Sequence, residues 1–576
     1  MKAEKSKVYP HVEPDIEQWP IYKQSQNRAQ LIDEIIETTL IKYQQISEDT
    51  LESILSKSIY LEKQRVRLDP WKVDPPNEKV FWTKAKKRLD KIAGLEDKAE
   101  KKAKSLSVLK RIIERYSEEI VGNFNKRTFY FARRFLSFLF KGLFDKLNLL
   151  DLLNLGNTRA KCIKHLKVYG PVEKIRSLFK HGTVVILPTH SSNLDSIMIG
   201  YMLDSIVGLP AFSYGAGLNL YNSGVAAYFM NRLGAYRVDR RKKNPIYLDT
   251  LVNMSSISVE DGTNTIFFPG GTRSRDGAIE TKLKLGLLGS VIDAQRVCLE
   301  KENNNKIFIV PLVVSYETVL EAGILIEQSL RKAGKEKYSS QINRQYTFKS
   351  VMRFAYKLYK RRSDVYFSFG EPIDVLANTI DVEGKSYDKY GKEIDIKSYF
   401  QFQGNITEDE QRESEYTKIL GKSIAEIFLN DNIILPGHFI AFTAVELLKA
   451  QHNTETIYPI LKIPKSEWTI PYDQFVNCCI EVREQLKQSA DLNMFKLSEE
   501  FDSEINKLIQ YGMRSLGTYH TIKPLEYESK EKELKINDLP VVYFYRNRLN
   551  NYDLTEKIKW SQYLWTDKYD KEALDL

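Results

Sequence analysis

Thr183-Val-Val-Ile-Leu187 is a short β-branched apolar run that breaks into the polar turn Pro188-Thr-His-Ser-Ser-Asn-Leu-Asp195. A run of that length fits a strand covered on both faces, and Ile197 to Leu203 then reads as an apolar helix. Strand, polar turn and helix in succession begin a βα unit, so the chain is constrained to a layered α/β arrangement. In open sheets of that kind ligands bind beyond the carboxyl ends of the strands, which aims this turn at a ligand.

The pattern continues. Ala211 to Tyr214, Ala235 to Val238, Thr265 to Phe268, Ile307 to Val314 and Val365 to Phe369 are further strand candidates separated by helix-length segments. The fold expected is α/β, with a mostly parallel central sheet flanked by helices and a helical N-terminal domain. Three regions are expected: helical residues 1–165, an α/β domain over 166–375, and a mainly helical C-terminal region over 376–576. Within the last, Asp381 to Glu415 is charged and turn-rich and reads as a surface excursion, and Phe439 to Gln451 reads as a helix.

A formal net charge of +10 over 576 residues favours an anionic partner, whether nucleic acid, a phosphorylated small molecule or an acidic lipid surface. The basic helix Lys84 to Arg115 is either a solvated face or a phosphate contact. Lys126 to Phe144 mixes Phe, Tyr and Leu with Arg and Lys, as an interfacial helix does, although the same spacing suits a core helix. No leader and no membrane span are expected, because Phe129 to Leu155 is interrupted by Arg133, Arg134, Lys141, Asp145 and Lys146. Cys162, Cys298, Cys478 and Cys479 match neither a disulfide framework nor a metal site, which points to a reducing cytoplasmic setting.

Chemistry-bearing residues gather at the predicted strand ends. His190 and Asp195 are five residues apart and cannot share a helix face. They meet if His190 lies in the turn and Asp195 in the first helical turn, with Ser191, Ser192 or Asn193 as cap. The carboxylate then orients the imidazole and leaves its other nitrogen free to take a proton, or the pair is a structural turn. Gly234-Ala-Tyr-Arg-Val-Asp-Arg-Arg241 closes a strand with arginines suited to phosphate. Phe267-Phe-Pro-Gly-Gly-Thr-Arg-Ser-Arg275 opens a strand into a glycine-rich turn that lacks the Lys-Ser/Thr ending of a nucleotide loop. Val313-Val-Ser-Tyr-Glu317 closes a fourth buried run on polar residues.

In this order and spacing the four blocks resemble the glycerolipid acyltransferase superfamily, whose first block is His-x4-Asp, and most of all its glycerol-3-phosphate 1-O-acyltransferases. The resemblance covers roughly 165 to 330. It implies transfer of a fatty acyl group from acyl-CoA or acyl-carrier protein to the sn-1 hydroxyl of glycerol 3-phosphate, giving lysophosphatidic acid for phospholipid synthesis. It further implies His190 as base and Asp195 as its orienting partner. Arg240, Arg273, Ser274, Arg275 and Lys284 would bind the substrate phosphate, the last within Lys284-x-Gly286. Gly271, Tyr316 and Glu317 would belong to the substrate pocket. No resident cofactor and no metal are implied. An apolar product implies a cytoplasmic protein held peripherally on an anionic membrane face, without nucleic acid. The chain departs from the family at Gly270, where a glutamate is usual. Val238-Asp239-Arg240 and Phe268-Pro-x-Gly-Thr-Arg-Ser274 are closer to lysophosphatidic acid acyltransferases, the alternative reading. A basic lipid- or nucleic-acid-binding protein would not need the His/Asp pair. A serine hydrolase using Ser191 or Ser192 would need a Gly-x-Ser-x-Gly elbow that is absent.

Overall fold

In a computed structural model the described residues are 7–71, 73–144, 164–218, 224–303, 305–332, 364–517, 520 and 522–563. Cys162 and the stretch beyond Phe144 that entered the membrane-span argument lie outside them, while Cys298, Cys478 and Cys479 are buried free thiols.

After a short helix over Pro20–Gln26 come four longer ones: α1 (Arg28–Gln44), α2 (Glu48–Leu68), α3 (Glu78–Ala93) and α4 (Lys98–Ile120). The basic run expected as one helix is therefore two, broken at Gly94, and Asp97 caps the second by accepting from the Ala99 amide. Their lysines face solvent while Leu55, Ile59, Trp82, Leu109, Ile112 and Tyr116 form a core. Helix α5 (Lys126–Phe144) follows.

The sheet contains β1 (Leu166–Tyr169), β2 (Gly182–Pro188), β3 (Ser213–Gly217), β4 (Ala235–Val238), β5 (Thr265–Ile266), β6 (Lys306–Tyr316) and β7 (Val365–Phe369). Strands β6, β2, β5, β3 and β4 lie side by side in that order and all run parallel. Strand β7 joins the far side of β6 antiparallel, with Leu312 opposite Phe369, and β1 runs parallel to β7. The sheet is thus mixed, with a parallel centre. Four two-residue antiparallel strands between Ile373 and Ile394 extend this sheet, so the first part of the surface excursion expected over Asp381 to Glu415 joins it.

Alternate residues of β2 and β6 serve opposite cores, which is why both runs are apolar throughout. Val184, Ile186, Phe308, Val310 and Val314 pack on one face against α6 (Asp195–Met202) and α9 (Ala322–Lys332), and Val185, Leu187, Ile307 and Ile309 pack on the other. That second face is covered by α7 (Pro245–Glu260), α8 (Leu285–Glu300) and α10 (Glu410–Asn430). Tyr247, Leu251 and Met254 of α7 are also the surface on which the N-terminal helices close.

The C-terminal helices α11 (Pro436–Gln451), α12 (Tyr472–Asp491), α13 (Ile505–Gly517) and α14 (Leu539–Arg546) share the first core with β6 and α6. They therefore complete the layer over the sheet.

Candidate active site

The five parallel strands deliver their carboxyl ends to one edge, where the four sequence blocks meet. After β2, His190 Nδ1 lies 2.7 Å from Asp195 Oδ2. Asp195 opens α6 and is fully buried, so its charge needs donors. It has them: the Ser191 and Ser192 amides donate to Oδ2 at 2.7 and 2.9 Å, and Tyr316 Oη donates to Oδ1 at 2.6 Å. The serine cap expected for this helix is absent, because Leu194 is the cap residue and Asp195 folds back to take the turn's amides itself. The His190 ring stacks on Phe268 with centroids 4.2 Å apart, so its Nδ1–H is aimed at the carboxylate and Nε2 is left as an acceptor.

The third block locks onto the first through the backbone: the Ser274 amide donates to the His190 carbonyl at 2.8 Å. Ser274 Oγ donates to the Ala278 carbonyl at 2.8 Å and accepts from the Gly277 amide, so this predicted phosphate contact is engaged in its own loop. Arg275 is exposed. Lys284 is also exposed; its amide donates to Pro269 O, and its side chain passes over Gly271, whose φ of +73° suits glycine.

The arginines that end β4 have different fates. Arg241 donates to Asp239, Asp74 and the Asp69 carbonyl, stacks on Trp71, and so ties the strand to the N-terminal helices. Arg237 reaches the Val73 carbonyl. Arg240 instead meets Arg273: partial loss of water and the neighbouring guanidinium both lower its pKa. Two neighbouring guanidiniums offer positive charge to an anion, although the Glu321 carboxylate also lies 3.7 Å from Arg273.

Glu321, which the sequence reading passed over, binds this arrangement together. It accepts from Ser192 Oγ and the Asn193 amide, both at 3.0 Å, and lies 3.7 Å from Arg273. A carboxylate four residues beyond Glu317 was its only signal. Arg548 was also missed. Fully enclosed, it donates to Val314 O at 3.0 Å and Ser315 Oγ at 2.8 Å, and its positive charge acts on Asp195 and Glu280; burial lowers its pKa to about 10.

Of the predicted pocket residues, Tyr316 is on Asp195 while Glu317 turns away. Glu317 accepts from Tyr511 Oη at 2.6 Å and the Asp364 amide at 2.9 Å, and burial pushes its carboxyl up to about 7. A second His/Asp pair stands there, His165 Nδ1 lying 2.6 Å from Asp364.

Beside α6 an apolar cavity of about 480 Å³ begins at Ser196 and Ile197, the residues after Asp195, and is walled by Phe131, Phe135, Phe212 and Phe229. Helix α5 supplies part of that wall. Ala132 is buried and Arg133 Nε donates to Asp204 at 2.8 Å, while Tyr130, Phe131 and Phe135 remain exposed. Among the described residues no helix is long and apolar enough to cross a membrane, and no cluster fits a metal ion.

Comparison with known proteins agrees with this placement. Residues 166–315 match the acyltransferase family model. The glycerol-3-phosphate acyltransferase of Aeromonas hydrophila is 25% identical over 429 residues, covering 74% of this chain and 47% of that protein. The enzyme of the same name from Glaesserella parasuis is 27% identical over 300 residues, covering 52% of this chain and 32% of its own length. The chain thus spans about half the length, or less, of the curated relatives it matches. The 1-acyl-sn-glycerophosphate (LPA) acyltransferase PlsC from Thermotoga maritima is a solved structure covering 66% of this chain at 13% identity, with a TM-score of 0.23. The sheet edge that carries His190, Asp195, Arg240 and Arg273 lies within residues 166–315, the stretch that is similar to the acyltransferase family model.

Proposed function

We propose that this protein transfers an acyl group from an acyl thioester to the sn-1 hydroxyl of glycerol 3-phosphate. The observation that carries the reading is that the sheet edge bearing the His190–Asp195 pair also bears two features of opposite character. Arg240 and Arg273 offer charge to a phosphate; the apolar cavity beside α6 offers room for an acyl chain.

Phosphate bound by the arginines holds the hydroxyl at His190. Nε2 takes the hydroxyl proton as the oxygen attacks the thioester carbonyl, and Asp195 stabilises the imidazolium. The tetrahedral intermediate collapses, the carbon–sulfur bond breaks, and the imidazolium proton passes to the departing thiolate. No acyl-enzyme is needed. Arg275 and Lys284, exposed at the same turn, extend the positive field toward the phosphate.

The donor is acyl-CoA or acyl-carrier protein. Phe131 and Phe135 lie at the wall of the cavity and, with the exposed Tyr130, Arg127 and Arg134 of the same helix, suit an anionic lipid surface, from which an apolar product is released.

Labelled acyl transfer tests the reading. Wild type is expected to acylate glycerol 3-phosphate and His190→Ala to fail; equal activity in both removes the mechanism. Lysophosphatidic acid as a second acceptor separates the alternative favoured by Val238-Asp239-Arg240. Turnover of that acceptor alone would reassign the substrate while keeping the chemistry.

A further inference from the structure

Gly270 is not glycine for conformational reasons. Its neighbour Gly271 has a φ of +73°, but the backbone at 270 stays outside the left-handed region. Space excludes a side chain there: a Cβ on Gly270 would lie 2.3 Å from Glu280 Cδ and 2.3 Å from Glu280 Oε2. The Glu280 carboxyl thus occupies the first position of the side chain that residue 270 lacks.

Three further facts describe that carboxyl. The backbone amide of His190 faces it and favours its ionised form. Its Oε2 is buried without a hydrogen-bonding partner. Its loop is braced by the C-terminal region, because Asn547 Nδ2 donates to Asp276 O at 3.0 Å and Asn551 Nδ2 to Ile279 O at 3.3 Å. The charged groups facing it are Asp195 and Asp276, which disfavour its ionisation, and Arg548, which favours it. Burial is the largest influence, and together these push the carboxyl up to about 8.

We propose that Glu280 is a positioning residue for His190, and that position 270 is glycine so that the Glu280 carboxyl can lie beneath the His190 amide. A buried carboxyl in that place fixes the height of the turn and hence the reach of the imidazole. The family resemblance would bring a carboxyl in from position 270; here one enters from ten residues downstream. The inference rests on the acyl-transfer reading for its catalytic part, whereas the shared space is independent of substrate.

The crowding atoms are the far end of a flexible side chain, so Gly270→Ala evicts the carboxyl rather than breaking the turn. The expected result is a kcat lowered about tenfold or more with acceptor KM nearly unchanged, since small displacements of a base cost up to about a hundredfold. Glu280→Ala lowers kcat similarly, and adding Gly270→Ala to it costs nothing more, because there is no longer a carboxyl to evict. Glu280→Gln preserves the shape and retains most activity. The exchange Gly270→Glu with Glu280→Ala recovers kcat relative to either single change. Additive losses in the Gly270→Ala and Glu280→Ala pair, or an acceptor KM that rises while kcat holds, would overturn the proposal. If wild type acylates no acceptor, the functional reading falls, and the shared space is then decided by melting temperature against pH. Gly270→Ala and Glu280→Gln must abolish the same slope between about pH 5 and 8, and a slope kept in Gly270→Ala refutes the eviction.

Discussion

Two histidine–aspartate pairs stand at the same edge of this sheet, one on each side of the end of β6. In both, Nδ1 meets the carboxylate, at 2.7 Å for His190 and 2.6 Å for His165. Consecutive residues serve them: Tyr316 reaches back to Asp195, and Glu317 reaches across to the segment that holds Asp364. Their surroundings differ. The first pair has Arg273 near its turn, Phe268 against its ring and an apolar cavity behind it. The second has Glu317, Glu500 and two tyrosines, Tyr366 and Tyr511, around its carboxylate, and acid charge there repels a phosphate. A His/Asp pair is therefore common structural equipment, and its chemistry comes from what stands beside it.

That contrast breaks most directly at the histidines. His190→Ala should cost about a hundredfold to ten-thousandfold in kcat, the usual range for a general base, while His165→Ala should keep activity near wild type. Radiolabelled acyl transfer on both purified variants measures it; comparable losses would erase the distinction. Next, Arg240→Ala and Arg273→Ala should each raise the KM for glycerol 3-phosphate about tenfold or more with the acyl-donor KM unchanged, as lost charge-assisted contacts to a phosphate would.

A smaller effect separates Tyr316 from Glu317. Tyr316→Phe leaves Asp195 Oδ1 without its donor, which should destabilise the protein by about 1–3 kcal/mol and slow turnover, read by denaturant melts and initial rates. Glu317→Gln should alter stability and leave kcat alone. The least effect is in pH dependence. Glu280 has a folded pKa raised from 4.5 to about 8, so its contribution is most favourable below pH 4.5 and is lost as pH rises through 8. Wild type should accordingly melt at progressively lower temperature across that window, and Glu280→Gln should flatten this part of the curve. A Glu317→Gln profile isolates a second buried acid, whose loss of stability falls between pH 4.5 and about 7.

Much of the candidate site was legible because it is local. The x4 spacing of His190 and Asp195 fits only one strand–turn–helix geometry, and β-branched runs such as Val184 to Ile186 betray a doubly covered strand. Strand direction was not legible: Val365 to Phe369 has the apolar content of a buried strand whichever way it runs, and only the register shows it antiparallel to β6. The cap expected from Ser191, Ser192 or Asn193 failed because Leu194 takes the cap position and Ser192 Oγ is held ahead of the helix by Glu321 and the Leu194 amide. The arginine block overstated its phosphate role, since Asp74 and Val73 lie far away in sequence and claim Arg241 and Arg237. Glu280, Glu321 and Arg548 come from loops and distant elements with no periodic pattern to mark them.

Arg548 has one more consequence. It reaches the carbonyl of Val314 from 234 positions away, and Asn551 braces Ile279 from 272 positions away. Contacts of such long sequence separation form late, because loop closure must be paid before they return any energy. On the ribosome, then, the His190 turn emerges long before the cation that stands behind Asp195. A nascent chain can build its sheet early and still lack the electrostatic backing of its His190–Asp195 pair until the segment around Arg548 has cleared the exit tunnel.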